Sequence, residues 1–298
     1  MASRTAMEEV WEACDDGNAS RVRELIETLD LKPNDAQMYL DDLLIDNPHP
    51  NTEVIRVLFD NGASAADIPL RWIRNCRSVE VLQLLAENGM EFKDTGHEIL
   101  EDVVHSREVI DFLLDQGVDI NRPDERRSIT ELPYRARPGP LFDKTLGVLN
   151  NTAALGDIDL FDYLVSRGAD VSKSIALHHA ARCEDPIKTR AMISHLVDKY
   201  GFDVNADDNA TGLRDLGTLG SPPYYEGVPM NFAILFKNLA AVEELLQRGA
   251  DLTLEKYCLI WNAMSAFPTA IKPFLGAGAD ANEVLSEATA QLGILRVG

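Results

Sequence analysis

Six histidines (His49, His97, His105, His178, His179, His195) and four cysteines (Cys14, Cys76, Cys183, Cys258) are the side chains of this sequence suited to proton transfer, thiolate attack or soft-metal ligation. Their spacing argues against most of that chemistry. No two cysteines form a C-x-x-C pair and no histidine stands at zinc-finger distance from one, so neither a metal site nor a disulfide framework is expected. No histidine falls in a recognisable acid, base or nucleophile motif. If the chain is an enzyme, its candidate catalytic groups are His105, His179 and Cys183.

The elements that carry these residues follow a recurring pattern of paired leucines, then Gly, then Asp or Asn. It runs through Val57-Leu58-Phe59-Asp60-Asn61-Gly62, Leu84-Leu85-Ala86-Glu87-Asn88-Gly89 and Phe112-Leu113-Leu114-Asp115-Gln116-Gly117-Val118-Asp119-Ile120-Asn121. It returns at Tyr163 to Asp170, His195 to Asn205, Leu245 to Asp251 and Phe274 to Asn282. Each instance predicts a helix whose leucines are buried and whose Gly takes the left-handed conformation that ends it. The Asp or Asn then bonds back to its own backbone and turns the chain into the next helix pair.

Leucine pairs ending in Gly-Ala-Asp-Val-Asn resemble the second half of an ankyrin repeat. Ile175-Ala176-Leu177-His178-His179-Ala180-Ala181 and Gly227-Val228-Pro229-Met230-Asn231-Phe232-Ala233 resemble the Thr-Pro-Leu-His-x-Ala-Ala opening of its first half, with Ile175 and Val228 in place of Thr. Most units lack the Pro or His, so the repeats are divergent. The resemblance covers roughly residues 8–283. It implies an all-α, ankyrin-type α-solenoid of about eight helix-turn-helix repeats: an N-terminal capping repeat over about 5–35, internal repeats over 36–282 and a C-terminal cap over 283–298. It also implies that His178 is structural, hydrogen-bonding between repeats.

The glycines at 62, 89, 117, 168, 201, 249 and 278 are spaced by 27, 28, 51, 33, 48 and 29 residues, so two intervals are about 20 residues too long. The extra residues fall at 122–142 and 206–226, where the ankyrin fold has its finger loops. The first insertion is locally basic, with Arg122, Arg126, Arg127, Arg135 and Arg137 against Asp124, Glu125 and Glu131. The second contains Ser221-Pro222-Pro223-Tyr224-Tyr225, whose prolines exclude a long helix. Arginine forks on one loop and paired tyrosines on the other are side chains enriched at binding hot spots.

Register mapping from the repeats sets Asn75 and Cys76, His105, Ala154 and Leu155, Arg182 and Cys183, Leu235 and Phe236, and Ser265 and Ala266 near the ends of first helices, facing a groove. With 49 acidic and 28 basic residues the net charge is -21 and the pI near 4.6, which disfavours nucleic acid and anionic membrane. The N-terminus lacks the apolar core of a signal peptide and no apolar run matches a bilayer, so a monomeric cytoplasmic or nuclear protein is expected.

The function expected is a protein-protein interaction scaffold, without cofactor or metal, binding a partner through its groove and finger loops. The binding residues singled out are Arg126, Arg127, Arg135, Tyr224, Tyr225, Asn75, Arg182 and Phe236. The alternative is an enzyme or small-molecule binder, for example a biosynthetic cyclase or isomerase, with a pocket between groove and loops.

Overall fold

The computed structural model describes residues 4–45, 47–66, 68–94, 96–100, 102–122, 146–207, 227–254 and 259–279. Every regular element among them is helical, none is a strand, and no helix is long and apolar enough to cross a membrane. The chain divides into two compact units, Met1–Ile120 and Asn121–Gly298.

The first unit contains α1 (Arg4–Asp15), α2 (Ala19–Leu29), α3 (Pro33–Leu44), α4 (Thr52–Asp60), α5 (Leu70–Ile73), α6 (Val79–Glu87), α7 (His97–Leu100) and α8 (Arg107–Asp115). Odd-numbered helices pack on one another in succession, and so do the even-numbered ones, giving two layers of first and second helices. The second unit repeats this arrangement. Its helices are α9 (Gly147–Leu155), α10 (Ile158–Ser166), α11 (Ala176–Ala180), α12 (Pro186–Tyr200), α13 (Pro229–Leu235), α14 (Leu239–Gln247), α15 (Leu259–Ala266) and α16 (Ile271–Gly276).

The leucine-glycine pattern has a direct structural cause. The residue four before the glycine is fully buried at Leu58, Leu85, Leu113, Leu164 and Leu245, and nearly so at Phe274. The amide following the glycine donates to the carbonyl of that same buried residue, as Ala63 does to Leu58 at 3.1 Å and Ala250 to Leu245 at 3.0 Å. That bond closes only when the intervening residue is left-handed, and Gly62 and Gly249 have φ of 91° and 86°. One buried side chain therefore sits on the last turn that the glycine terminates.

The opposite ends of the second helices are capped as regularly. Asn18, Asn51, Ser78, Ser106, Asp157, Asp185 and Asn238 each accept a hydrogen bond from the backbone amide three residues on. Cap and glycine fix a nine-residue helix at α4, α6, α8, α10 and α14, whereas α12 extends to 15 residues.

Turns in the second unit are tied to their successors by asparagine. Asn121 Nδ2 donates to the Gly168 carbonyl at 2.8 Å while its Oδ1 accepts from the Asp170 amide at 2.8 Å. Asn205 makes the same pair of bonds with Gly249 (3.3 Å) and Asp251 (2.8 Å), so the Asn of Asp119-Ile120-Asn121 and of Asp203-Val204-Asn205 reads the next Gly-Ala-Asp turn. Arg126, Arg127, Arg135, Tyr224 and Tyr225 lie outside the described residues, as does 283–298. The two flanks of 208–226 are described. The buried His178 Nε2 stands 3.1 Å from the Ala206 carbonyl and 3.0 Å from that of Gly227, so a single ring nitrogen joins both ends of the second insertion.

Candidate functional site

Helix α11 is only five residues long and all five side chains are buried, because it is packed against α9, α12 and α13 at once. Two of the five are histidines. A buried imidazole needs partners, and the two rings find different ones. His178 lends Nε2 to the carbonyls just described, while His179, with no exposed surface, has Nδ1 2.9 Å from Arg182 Nη1. A guanidinium has no lone pair to offer, so His179 Nδ1 is the acceptor and its ring hydrogen is on Nε2.

This bond holds Arg182 just past the end of α11, where its guanidinium lies over the Phe236 ring at 5.6 Å from the centroid. Phe236 continues a row of rings that starts in the core. His178 and His179 pack 5.2 and 6.1 Å from Phe232, and Phe232 lies 6.4 Å from Phe236. The row ends at the surface, since Phe236 remains 37% exposed.

Arg182 and Phe236 line a cleft of about 540 Å³ at the turns from α11 to α12 and from α13 to α14. Pro186 and Leu239 add apolar wall; Glu184, Arg190 and Lys237 add charge. The cleft therefore carries three cations and one carboxylate on a chain of net charge -21. Arg190 is partly neutralised by Glu243 at 2.7 Å. Neither Arg182 nor Lys237 pairs with a carboxylate among the described residues. The floor is rigid: Asn238 caps α14 with Oδ1 and donates from Nδ2 to the carbonyls of Ala181 (3.0 Å) and Cys183 (2.8 Å).

Lys237 has a left-handed backbone, φ 54°. It stands immediately before the cap Asn238. The corresponding positions before Asn18 and Asp157 hold Gly17 and Gly156, with φ of 68° and 66°. At Gly156 no side chain would fit, since a Cβ there would lie 2.7 Å from Lys188 Cβ and 2.9 Å from Cys183 Sγ.

The structure brings Arg182 and Phe236 together. Cys183 lines this cleft and Cys76 a smaller cavity, but both are nearly buried, 4% and 1% exposed, and each donates its thiol to a backbone carbonyl two residues on, Asp185 and Ser78. Asn75 and His105 are exposed and share a smaller cavity of about 120 Å³ with Arg74, Arg77 and Asp102 in the first unit. His179 and Cys183 belong to the second unit. Lys237, Glu184 and Arg190 were not singled out from the sequence.

A second polar cluster ties the helices of the outer layer. The Asp162 carboxylate accepts from His195 Nε2 (2.7 Å), Lys199 Nζ (2.7 Å) and Tyr200 OH (2.6 Å). Burial raises the Asp162 pKa, but hydrogen bonds from Lys199, Tyr200 and His195 outweigh it and hold the carboxyl at about 2. Burial, reinforced by Asp162, pushes the Tyr200 phenol above its ordinary range. At neutral pH Asp162 stays ionised and Tyr200 protonated, and the shared carboxylate links α10 to α12.

No protein-family model and no curated protein matches the chain.

Proposed function

We propose that the chain is a protein-binding scaffold of the ankyrin-type α-solenoid kind, and that its second unit takes a partner segment in the cleft at the α11–α12 and α13–α14 turns. The repeated pairs of helices, their leucine-glycine ends and the His178 bonds across the repeat boundary support the fold reading. The observation that carries the functional reading is the Arg182 guanidinium laid on the half-exposed Phe236 ring. Arginine and aromatic side chains held rigid in a cleft are the residue types that dominate binding energy at protein interfaces. A volume of about 540 Å³ is ample for one or two partner side chains. The test is affinity capture from the native cell with the wild-type chain and with Phe236→Ala. The expected result is a stoichiometric protein retained by the first and reduced with the second; failure of the wild type to retain any stoichiometric protein overturns the reading.

A further inference from the structure

We infer that the occupant of this cleft is an acidic-aromatic peptide segment, whose carboxylate meets Arg182 and Lys237 and whose neighbouring aromatic side chain lies against Phe236, Pro186 and Leu239. The inference rests on the scaffold reading and adds the chemistry of the partner. Charge complementarity is the first argument. The chain as a whole repels acidic molecules, with 49 acidic residues against 28 basic, yet Arg182 and Lys237 stand in the cleft without a carboxylate of their own among the described residues. Arg248, by contrast, is neutralised at close range by Asp198 at 2.7 Å and Glu244 at 2.6 Å. Arg182 is instead held by a neutral acceptor, His179 Nδ1, which fixes the side chain and leaves its charge uncompensated.

Backbone strain at Lys237 is an independent argument. A lysine in the left-handed region is uphill relative to glycine, and the equivalent positions Gly17 and Gly156 show that glycine serves there. The strained residue is a cation at the mouth of the cleft. Conformations of this sort persist only where the surrounding structure over-determines them, and they cluster at ligand clamps and active sites. The apolar surface supplies the second half of the recognition: Phe236 and Leu239 are 37% and 38% exposed, side by side with the two cations. An acidic residue next to an aromatic one satisfies both at once, with the carboxylate on the guanidinium fork and the ring on Phe236.

The experiment pans a phage-displayed random 12-residue peptide library on the full chain, then measures the selected peptides by calorimetry against wild type, Arg182→Met and Lys237→Gly. Met keeps the apolar stem over Phe236 while removing the charge. The expected result is enrichment of peptides with Asp or Glu within three residues of Trp, Tyr or Phe, bound at least about 10-fold more weakly by Arg182→Met. Binding should be several-fold weaker to Lys237→Gly, whose melting temperature should be no lower than that of wild type. Lys237→Gly keeps the test decisive should Arg182→Met fail to fold. Enrichment of basic or purely apolar peptides overturns the inference, as do acidic-aromatic peptides that bind both variants with unaltered affinity. No enrichment at all overturns it as well. In each of these cases a partner captured by the wild-type chain leaves the scaffold reading standing, so the two failures are distinguishable.

Discussion

His178 has to stay neutral to hold its place. Burial pushes its pKa from 6.5 down to about 4, with the neighbouring His179 adding to the shift and the Gly227, Ala206 and Asp207 oxygens opposing it. The folded state then binds fewer protons than the unfolded chain wherever the pH lies between those two values. The stabilisation is complete above about pH 6.5 and is lost as the pH falls towards about 4, by roughly 3 kcal/mol at 1.4 kcal/mol per pKa unit. Urea unfolding of wild type and His178→Asn at pH 7, 6, 5 and 4 checks this, and the variant is expected to lose most of the slope between pH 6.5 and 4. Asparagine is the apt replacement, since Asn150 and Asn231 occupy the same position relative to their caps as His178, and Asn150 Oδ1 accepts from the Ile175 amide at 3.0 Å. The structural role of His178 was legible in the sequence because its flanking Leu177, Ala180 and Ala181 are intact. The role of Asn150 was not, because a buried asparagine looks like any polar surface residue until the partner amide 25 positions away is in view. Lys237 was hidden for another reason: φ is a property of the backbone, and a lysine gives no sign that it has been forced into a glycine's conformation.

Among the elements, the second helices are the ones the sequence specifies best, since both of their ends are written locally. Asp185 illustrates this: its carboxylate takes the amides of Ile187 at 2.8 Å and Lys188 at 3.2 Å, and Pro186 starts the helix in the one φ it can adopt. The first helices are less legible. Four-residue α5 starts without a side-chain cap and neither α5 nor α7 is followed by Gly, so the packing of Ile73, Ile99 and Leu100 decides where they form. Contacts between second helices were invisible as well, because Asp162 meets partners 33 to 38 residues away. Asp162→Asn should cost about 1 kcal/mol at pH 7, a figure that allows for the solvent screening of a carboxylate that is 32% exposed. Since the folded-state pKa lies below the ordinary 3.8, this contribution is present above about pH 4 and disappears as the pH falls to about 2. Guanidinium unfolding at pH 7 and pH 2.5 measures both, and a variant equally destabilised at the two pH values refutes the assignment.

At the scale of the whole molecule, the repeat was read from its leucine pairs and glycines and the two long intervals from the glycine spacing, whereas the separation into units at Ile120 was not, because a compact unit is defined by contacts and leaves no mark in a repeating pattern. The binding residues chosen in the insertions, Arg126, Arg127, Arg135, Tyr224 and Tyr225, stand outside the described residues, while the cleft lies at the turns after α11 and α13. These two regions respond to different experiments. Replacing 208–226 by a short Gly-Ser linker should change the unfolding free energy by no more than about 1 kcal/mol, since closure entropy varies by about 0.6 kcal/mol per halving of loop length. A melting temperature lowered by more than about 8 °C shows that the segment belongs to the core. The reason to expect tolerance is the clasp at its base, where the Ala206 and Gly227 carbonyls converge on one imidazole nitrogen. With both ends held at one imidazole nitrogen, the distance between Ala206 and Gly227 is set by His178 and not by the length of the sequence that joins them. That makes the Ala206–Gly227 junction a natural cassette site, at which foreign peptides of quite different size, an epitope or a fluorophore-binding tag among them, can be grafted while the pH dependence set by His178 reports whether the neck is still shut.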